Sequence, residues 1–436
     1  MGKPKAIVNA MIYDFERFYE NGYVLFDEKI IASGPMTEFT NQEYEIIDGK
    51  GSLVLPGFVV GHTHVYSTFA RGWMNTFEYE DFMDILKSQW WKLDRNLQDD
   101  AIHYSGIVSG VDHLKHGVTT LIDHHASGEI PGSLMKLKTA ITDTVGLRGL
   151  YAFETSDRFH IKSCIDENIG FMQHGSAMHG GLFGLHASLS LSEQTLRTVK
   201  AQLKDAPIHI HVAESELDQE DAFINYGERV VERLDRHGLI NPDAIITHAL
   251  FIDENEARIL KQRNAVVALN PSSNMNNGVG LPNYALLKRH DIPVIIGNDG
   301  LGAAITNEYM NIFYATHLKE NNPDAFTLDD LKAVIDTAYQ YVSRRLGIKI
   351  GRFKRGYQAD LQIVPYIPPT PINEQNAMGH LFFGLFQSFR PKDVYIDGKV
   401  RLENYEVSAN LRNEYKAART HAQQVWDRAE KEGEHS

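Results

Sequence analysis

The chain has 436 residues, of which 43% are hydrophobic and 23% are charged. This composition is typical of a globular protein, and the length suits a large barrel domain with a smaller satellite. The formal net charge of −14 argues against non-specific binding to nucleic acid, which needs a basic surface to displace counterions. The single cysteine, Cys164, excludes an intramolecular disulfide and a cysteine-rich metal cluster.

The chain begins Met1-Gly2-Lys3-Pro4 and lacks the apolar stretch of a secretory signal. No run of about 18 apolar residues is present that could span a membrane. We therefore expect a cytoplasmic protein whose partners include neither nucleic acid nor a membrane. A small nucleobase substrate is compatible with the negative charge.

Short β-rich runs lie near both ends of the chain, at residues 6–10, 22–26, 29–32, 356–364 and 393–400. In the last run, Asp397-Gly398 predicts a hairpin turn. We expect the two ends to form one small discontinuous β-sandwich domain from residues 1–55 and 353–408. Residues 56–352 are then the main domain, and residues 409–436 have the composition of a surface helix.

Between these ends, short apolar strands alternate with helical stretches, which is the pattern of βα units around a parallel sheet. Eight such strands are predicted, at residues 53–60, 118–122, 147–153, 182–185, 208–212, 244–247, 265–269 and 293–296. Eight repeats favour an α/β fold with a closed (β/α)8 TIM-like barrel, whose active site lies at the carboxyl ends of the strands. A doubly wound open sheet is the alternative.

The first barrel strand ends in Gly61-His62-Thr63-His64. Side chains alternate along a strand, so His62 and His64 point the same way. Two neutral imidazoles on one face of a rigid element are the beginning of a transition-metal site. Taken alone, the motif is also compatible with an ordinary polar strand end.

Polar residues follow the other strands as well, and a barrel gathers them around one mouth. They are Asp123, His124 and His125, then Glu154, His186, His211 with Glu214, His248, Asn270 and Asp299. Singly, each has a structural interpretation. His186 and His248 are compatible with core histidines bonded to the backbone, and Asp299 with a turn.

Neighbouring residues receive structural interpretations too. His124 and His125 favour hydrogen bonding around the site over metal binding. We expect His209 to face the helices, away from His211. Trp90 and Trp91 follow the first strand, where helix packing and a lid over a pocket are both possible, with packing favoured for at least one of them.

The spacing His211-Val212-Ala213-Glu214 favours a division of roles. The imidazole can bind a metal, while the carboxylate turns toward the substrate and transfers protons. Three histidines and one aspartate suit a single Zn²⁺ or Fe²⁺. No lysine lies near His186, which disfavours a two-metal site bridged by a modified lysine.

These motifs, in this order, resemble the amidohydrolase superfamily over essentially the whole chain. Residues 56–64 resemble its first-strand signature, and residues 211–214 and 297–300 resemble its aminohydrolase and chlorohydrolase branch. Within that branch, the chain is similar to the SsnA-type aminohydrolases at three segments, residues 123–127, 209–214 and 368–373. Two departures stand out: Asn298 replaces the usual threonine, and residues 301–306 differ from the SsnA-type pattern.

The resemblance implies a role for each matching residue. The metal ligands are His62, His64, His211 and Asp299. Glu214 is the proton shuttle and also contacts substrate, His248 binds the attacking water or the developing oxyanion, and Asp299 accepts a proton from the water. His186 and Arg148 match positions that contact substrate in related deaminases.

The resulting hypothesis is a metal-dependent hydrolase that deaminates an aminated nitrogen heterocycle through a metal-activated water. One divalent ion per chain is expected, Zn²⁺ or alternatively Fe²⁺, with a small-molecule substrate. Hydrolysis of a cyclic amide C–N bond or a C–Cl bond is an alternative, as is a non-catalytic metal-binding subunit. The family resemblance also implies a homodimer or a higher homo-oligomer.

Overall fold

The structure, a computed structural model, describes residues 3–41 and 43–433. The described strands are β1 (Lys5–Tyr13), β2 (Phe18–Phe26), β3 (Ile30–Pro35), β4 (Glu45–Asp48), β5 (Leu53–Pro56), β6 (Phe58–Thr63), β7 (Val118–His125), β8 (Arg148–Phe153), β9 (His179–Gly181), β10 (Phe183–Ala187), β11 (Ile208–Val212), β12 (Ile245–His248), β13 (Val266–Leu269), β14 (Val294–Ile296), β15 (Leu361–Val364), β16 (Asp393–Ile396) and β17 (Lys399–Leu402).

The described helices are α1 (Phe82–Ile85), α2 (Trp91–Arg95), α3 (Asp100–Lys115), α4 (Ser133–Lys138), α5 (Ile161–Met172), α6 (Glu193–Leu203), α7 (Glu216–Tyr226), α8 (Val230–Arg236), α9 (Glu254–Gln262), α10 (Pro271–Asn276), α11 (Tyr284–Arg289), α12 (Ile305–Glu320), α13 (Leu328–Leu346), α14 (Ala377–Gly384) and α15 (Ala409–Gly433). A π-helical turn, Leu86–Trp90, joins α1 to α2. No helix within residues 3–41 and 43–433 combines the length and apolar character needed to cross a bilayer.

The two ends of the chain build one mixed sheet, in the order β17-β16-β15-β5-β1-β2-β3, with β4 paired to β1. The ends join where β5 pairs antiparallel with β15. A separate apolar cluster, which includes Ile7, Val24, Val54 and Leu361, forms the core of this region. The predicted hairpin turn is confirmed, because Asp397 and Gly398 both have positive φ between β16 and β17.

Eight parallel strands form the main domain. Together with one short extra strand, β9, they fall into two sheets, β6-β7-β8-β9 and β10-β11-β12-β13-β14. Parallel bridges Thr63↔Asp299 and Thr155↔Leu185 connect the sheets at both seams, so β6, β7, β8 and β10–β14 form the barrel, and β9 is a short addition beside β8. Strands such as β13 are buried along their whole length, as expected for parallel strands covered by helices.

The predicted first strand, residues 53–60, is two strands in the structure. Leu53–Pro56 belongs to the terminal sheet and Phe58–Thr63 to the barrel, with Gly57 between them. A Cβ atom on Gly57 would lie 2.1 Å from the Thr119 side chain, so only glycine permits this close crossing. The chain therefore passes from one sheet to the other without a loop.

The C-terminal helix α15 packs against α3. Trp426 Nε1 donates to the carbonyl of Phe69 at 2.6 Å, and Arg428 donates to the carbonyl of Asn96 at 2.7 Å. Both acceptors flank the helical segment that follows the first barrel strand. The helix thus anchors that segment, and residues 434–436 of the predicted helix lie outside the described residues.

Candidate active site

Four side chains converge at the carboxyl ends of the barrel strands. His62 and His64 end β6, His211 lies on β11, and Asp299 follows β14. Asp299 Oδ1 lies 3.1 Å from both His62 Nε2 and His64 Nε2, and His64 Nε2 lies 3.1 Å from His211 Nε2. One ligand atom from each of the four residues lies within 4.8 Å of the others.

The orientation of two rings is set by backbone carbonyls. His64 Nδ1 donates to the carbonyl of His124 at 2.6 Å, and His211 Nδ1 donates to the carbonyl of His186 at 2.9 Å. A carbonyl only accepts, so each ring carries a hydrogen on Nδ1 and turns Nε2 inward. In metal sites, histidine ligands are oriented by hydrogen bonds of this kind, which come from the ring nitrogen that does not bind the metal.

This cluster attracts positive charge. Burial lowers the pKa of His64, but the hydrogen bond and charge of Asp299 outweigh burial and raise it to about 9. Burial lowers the pKa of His62 to about 4. Three imidazole nitrogens and one carboxylate oxygen are the donor set of Zn²⁺ and Fe²⁺ sites. The residues therefore fit the divalent ion predicted from the sequence.

The expectation for His209 is wrong. Its Nε2 lies 2.8 Å from His62 Nδ1, inside the barrel. Residues 209 and 211 are two positions apart on β11, and period-two alternation puts such residues on the same face of the strand. His209 therefore orients His62 as the carbonyls orient His64 and His211.

Glu214 and His248 lie beside the cluster. Glu214 Oε2 is 3.4 Å from His248 Nε2, and both residues group with Asp299 within ligand distance. Burial and the Asp299 carboxylate raise the pKa of Glu214 well above its usual value, which favours a carboxyl group that carries a proton. Burial lowers the pKa of His248 to about 3, so its ring is neutral.

The backbone at these strand ends is strained. Ala213, His248, Ala249 and Asp299 all have positive φ, between 48° and 72°, a region that non-glycine residues rarely adopt. Such conformations cluster at functional sites, because the surrounding structure must impose them. Here they turn the carboxyl ends of β11, β12 and β14 toward a common point.

A cavity that opens to solvent lies above the cluster, with about 720 Å³ of empty space inside it and at its mouth. Its wall consists of His64, Tyr66, Ser67, Phe82, Leu86, Trp90, Trp91, Asp94, Glu154, His186, Ala187, Leu189, His211, Glu214, Ser215, Asp218, Asn277, Asp299 and Gly300. His186 is on this wall, as predicted for a substrate contact, and its Nδ1 lies 2.6 Å from Ser190 Oγ. Both Trp90 and Trp91 line the cavity, and Trp91 also packs edge-on against His186.

The prediction for Arg148 is corrected by the structure. Arg148 begins β8, at the end of the barrel opposite the site, and is fully buried. Its Nε donates to Asp360 Oδ2 at 2.6 Å, and its Nη2 donates to Asp397 Oδ1 at 3.1 Å. Arg148 therefore joins the barrel to the terminal sheet and does not reach the cavity.

His124 and His125 differ from each other. The His124 ring bonds to the carbonyl of Leu185 at 3.0 Å, and its own carbonyl accepts from His64, so the hydrogen-bonding role predicted for it is confirmed. His125 points to the other face of β7, where its ring packs against Phe153 and neither ring nitrogen has a partner in the described part of the chain. The same prediction is wrong for His125.

Two residues near the cavity are missing from the sequence-based set. Asp94 lies in the helical segment after β6, and Arg158 lies in the loop after β8. Arg158 Nη2 donates to Asp94 Oδ2 at 2.9 Å and to Glu154 Oε1 at 2.7 Å. Of these three residues, only Glu154 lies at a predicted strand end. Asp94 and Arg158 carry no sequence pattern that distinguishes them from solvent-exposed charges on helices and loops.

Comparison with known proteins places this site in a family. Residues 53–401 match the model of the amidohydrolase family. The chain is 27% identical over 402 residues to a 5-methylthioadenosine/S-adenosylhomocysteine deaminase of Syntrophomonas wolfei, covering 89% of this chain and 91% of that protein. It is 26% identical over 433 residues to a 5'-deoxyadenosine deaminase of Methanobrevibacter smithii, covering 96% of both.

A solved structure has the same fold. The zinc-bound adenosine deaminase of Xanthomonas campestris superposes with a TM-score of 0.81 at 20% identity and covers 98% of each chain. This similarity shows the shared fold. The match of the family model shows that the chain belongs to the amidohydrolase family, and its deaminase relatives support an enzyme that hydrolyses carbon–nitrogen bonds.

Proposed function

We propose that the chain removes the exocyclic amine of an aromatic nitrogen heterocycle as ammonia, with water as the co-substrate. The observation that carries this proposal is the position of Glu214 and His248 beside the four-ligand cluster. Glu214 lines a cavity with aromatic walls, and His248 contacts Glu214 from behind it. Neither residue belongs to the ligand set, so their place there is explained by chemistry on a bound substrate. The names of the two relatives make an aminated purine the first ring system to test.

His62, His64, His211 and Asp299 are the proposed ligands of one divalent ion, Zn²⁺ or alternatively Fe²⁺. When bound, such an ion lowers the pKa of water, so that attack is possible near neutral pH. Asp299 receives one proton from the attacking water. Its second oxygen, Oδ2, accepts a hydrogen bond from Ser273 Oγ at 2.5 Å, which steadies the carboxylate.

Glu214 delivers a proton to the ring nitrogen next to the amine-bearing carbon. This protonation draws electrons from that carbon while the water oxygen forms its new bond there. His248 donates a hydrogen bond to the added oxygen, a contribution of about 3 to 4 kcal/mol for a well-placed donor. Asp299 then passes the proton that it received to the amine, the added hydroxyl returns a proton to Glu214, the C–N bond breaks, ammonia leaves, and the ring carbon keeps the oxygen as a carbonyl.

The remaining wall of the cavity positions the ring. His186 lines the cavity together with Glu214, Trp90 and Trp91. In this proposal, His186 contacts the edge of the bound heterocycle, and the two tryptophans cover its face. Aromatic side chains give large contact areas with ring systems at specific geometries.

We further propose that the protein is cytoplasmic and forms a homodimer or a higher homo-oligomer. Light scattering would measure the number of chains in the assembly.

The test combines metal analysis with ammonia release from aminated purines, pyrimidines, pterins and triazines. About one ion per chain and ammonia from one compound class is the expected result. Glu214→Gln should keep its metal and lose at least 100-fold in kcat, whereas Glu216→Gln, an exposed neighbour, should match the parent. Bound metal with no ammonia released from any compound of the panel would contradict the deaminase proposal. Release of chloride or opening of a ring would instead identify C–Cl or cyclic amide hydrolysis.

A further inference from the structure

The cavity wall is strongly acidic. Among its lining residues are five carboxyl groups, of Asp94, Glu154, Glu214, Asp218 and Asp299, and no lysine or arginine. Glu214 is the one of the five that is proposed to carry a proton. Within the described part of the chain, the only other ionisable lining groups are three histidines and one tyrosine, namely His64, His186, His211 and Tyr66. An anion that entered would therefore meet carboxylates without a permanent cation on the wall to pair with.

Arg158 lies behind this wall and is already engaged. It donates to both Asp94 and Glu154, whose exposed fractions are only 1% and 3%. Its guanidinium is also stacked at 4.6 Å on the rings of Trp91 and Phe159. One arginine that serves two buried carboxylates leaves a net negative charge on this side of the cavity.

The opposite side is no more favourable to an anion. Asp218 accepts hydrogen bonds from the backbone nitrogens of Ala213 and Leu189, which hold its carboxylate in the wall. Glu214 meets His248 and Asn277 at distances of 3.4 and 3.5 Å. With Glu214 protonated, the four remaining carboxylates still exceed the two charges of a divalent ion and the single charge of Arg158.

Building on the proposed function, we propose that this cavity selects an uncharged heterocycle and rejects derivatives that carry a phosphate or carboxylate group. Transfer of an anion from water into the cavity costs its hydration, and no free cation replaces that hydration. Repulsion by Glu154 and Asp218 adds to this cost. Rejection by like charges of this kind is a common source of specificity.

The first experiment compares substrates that differ only by an anionic group, at pH 8. This pH lies above the pKa of Asp94, which burial raises to about 7. The pairs are adenosine with its 5'-monophosphate and pterin with pterin-6-carboxylate. The anionic member should lose at least 100-fold in kcat/KM, and equal or better turnover of that member would overturn the inference.

A variant tests the origin of the selectivity. Asp94→Asn removes one charge and releases part of Arg158, so the ratio of anionic to uncharged turnover should rise at least fivefold. Asp235→Asn is the matched control, because Asp235 pairs with Arg263 at 2.5 Å and does not line the cavity. An unchanged ratio of anionic to uncharged turnover in Asp94→Asn would contradict the role of the Asp94–Arg158 pair in selectivity.

A measurement without turnover separates the inference from the deaminase proposal. Tryptophan fluorescence of the metal-loaded enzyme is quenched with caesium, iodide or acrylamide at equal ionic strength, and the same is done with Trp91→Phe. Each quenching constant is normalised to that of free N-acetyltryptophanamide, and the difference between the two proteins gives the quenching of Trp91 in the cavity wall. Caesium should quench Trp91 at least three times better than iodide does, and equal or stronger quenching by iodide would overturn the inference even if no compound released ammonia.

Discussion

His64 and His211 present their Nε2 atoms to each other at 3.1 Å, while each donates its Nδ1 hydrogen to a backbone carbonyl. The two rings come from β6 and β11, 147 residues apart in the chain. Neither ring can turn away without giving up a buried hydrogen bond. The pair is therefore preorganised to share one positively charged partner.

Removing one member of this pair should abolish metal binding. In His211→Ala, bound zinc should fall at least tenfold from about one ion per chain, as measured by atomic emission after dialysis. Free metal at 100 times the Kd of the parent should raise the parent's free energy of unfolding by about 2.7 kcal/mol. This increase should be absent in His211→Ala. His421→Ala, a change on α15 away from the cluster, should keep both metal and stability gain.

The bond between His209 and His62 should matter for metal affinity although His209 is not a proposed ligand. Loss of such an orienting partner typically weakens metal binding 10- to 100-fold. His209→Leu should show this loss in a competition with a chelator of known affinity. His209→Gln, which can still accept a hydrogen bond, should lose less, and equal affinity of the leucine variant and the parent would show that His62 needs no partner.

Arg148→Met should affect stability and leave catalysis alone. The change leaves Asp360 and Asp397 without their cation, and breaking a buried ion pair costs about 3 to 5 kcal/mol. Urea unfolding should report a loss of this size, while KM of the folded enzyme stays within twofold of the parent. A large rise in KM with little loss of stability would restore the substrate contact first expected for Arg148.

Glu308 should make the protein less stable as the pH rises. Burial raises its pKa from 4.5 to about 7, and the backbone nitrogen of Ser272 only partly offsets this. The unfolded chain ionises Glu308 at lower pH than the folded chain does, so the stability contributed by the protonated form is present below about pH 4.5 and is lost between there and about pH 7.

Glu308→Gln tests this directly, because the amide oxygen can still accept from Ser272. The variant should match the parent near pH 4.5 and become more stable than it by about 2 to 3 kcal/mol near pH 8. Chemical unfolding at several pH values provides the measurement. A constant difference between the two proteins at all pH values would mean that Glu308 does not titrate in this way.

The barrel and most of the candidate site can be predicted from local sequence patterns. The strand rhythm predicts the barrel, and the strand ends identify His62, His64, His211, Glu214, His248 and Asp299, because a parallel barrel must gather its carboxyl ends at one mouth. The resemblance assigned their roles, which remain to be tested. Alternation along β11, applied with the correct period, would also have placed His209 inside the barrel.

Other features depend on contacts that no local pattern encodes. Arg148 lies at the wrong end of its strand for substrate contact, and its partners Asp360 and Asp397 are more than 200 residues away along the chain. Likewise, Asp94 and Arg158 come from a helical segment and a loop that meet only when the barrel closes.

The sequence by itself determined the four ligand side chains and Glu214 and His248 at the carboxyl ends of the strands, since strand period and strand direction decide these positions locally. Only the tertiary structure decided which charges on the cavity wall are neutralised and which are left, because charge pairing depends on distances across the whole fold.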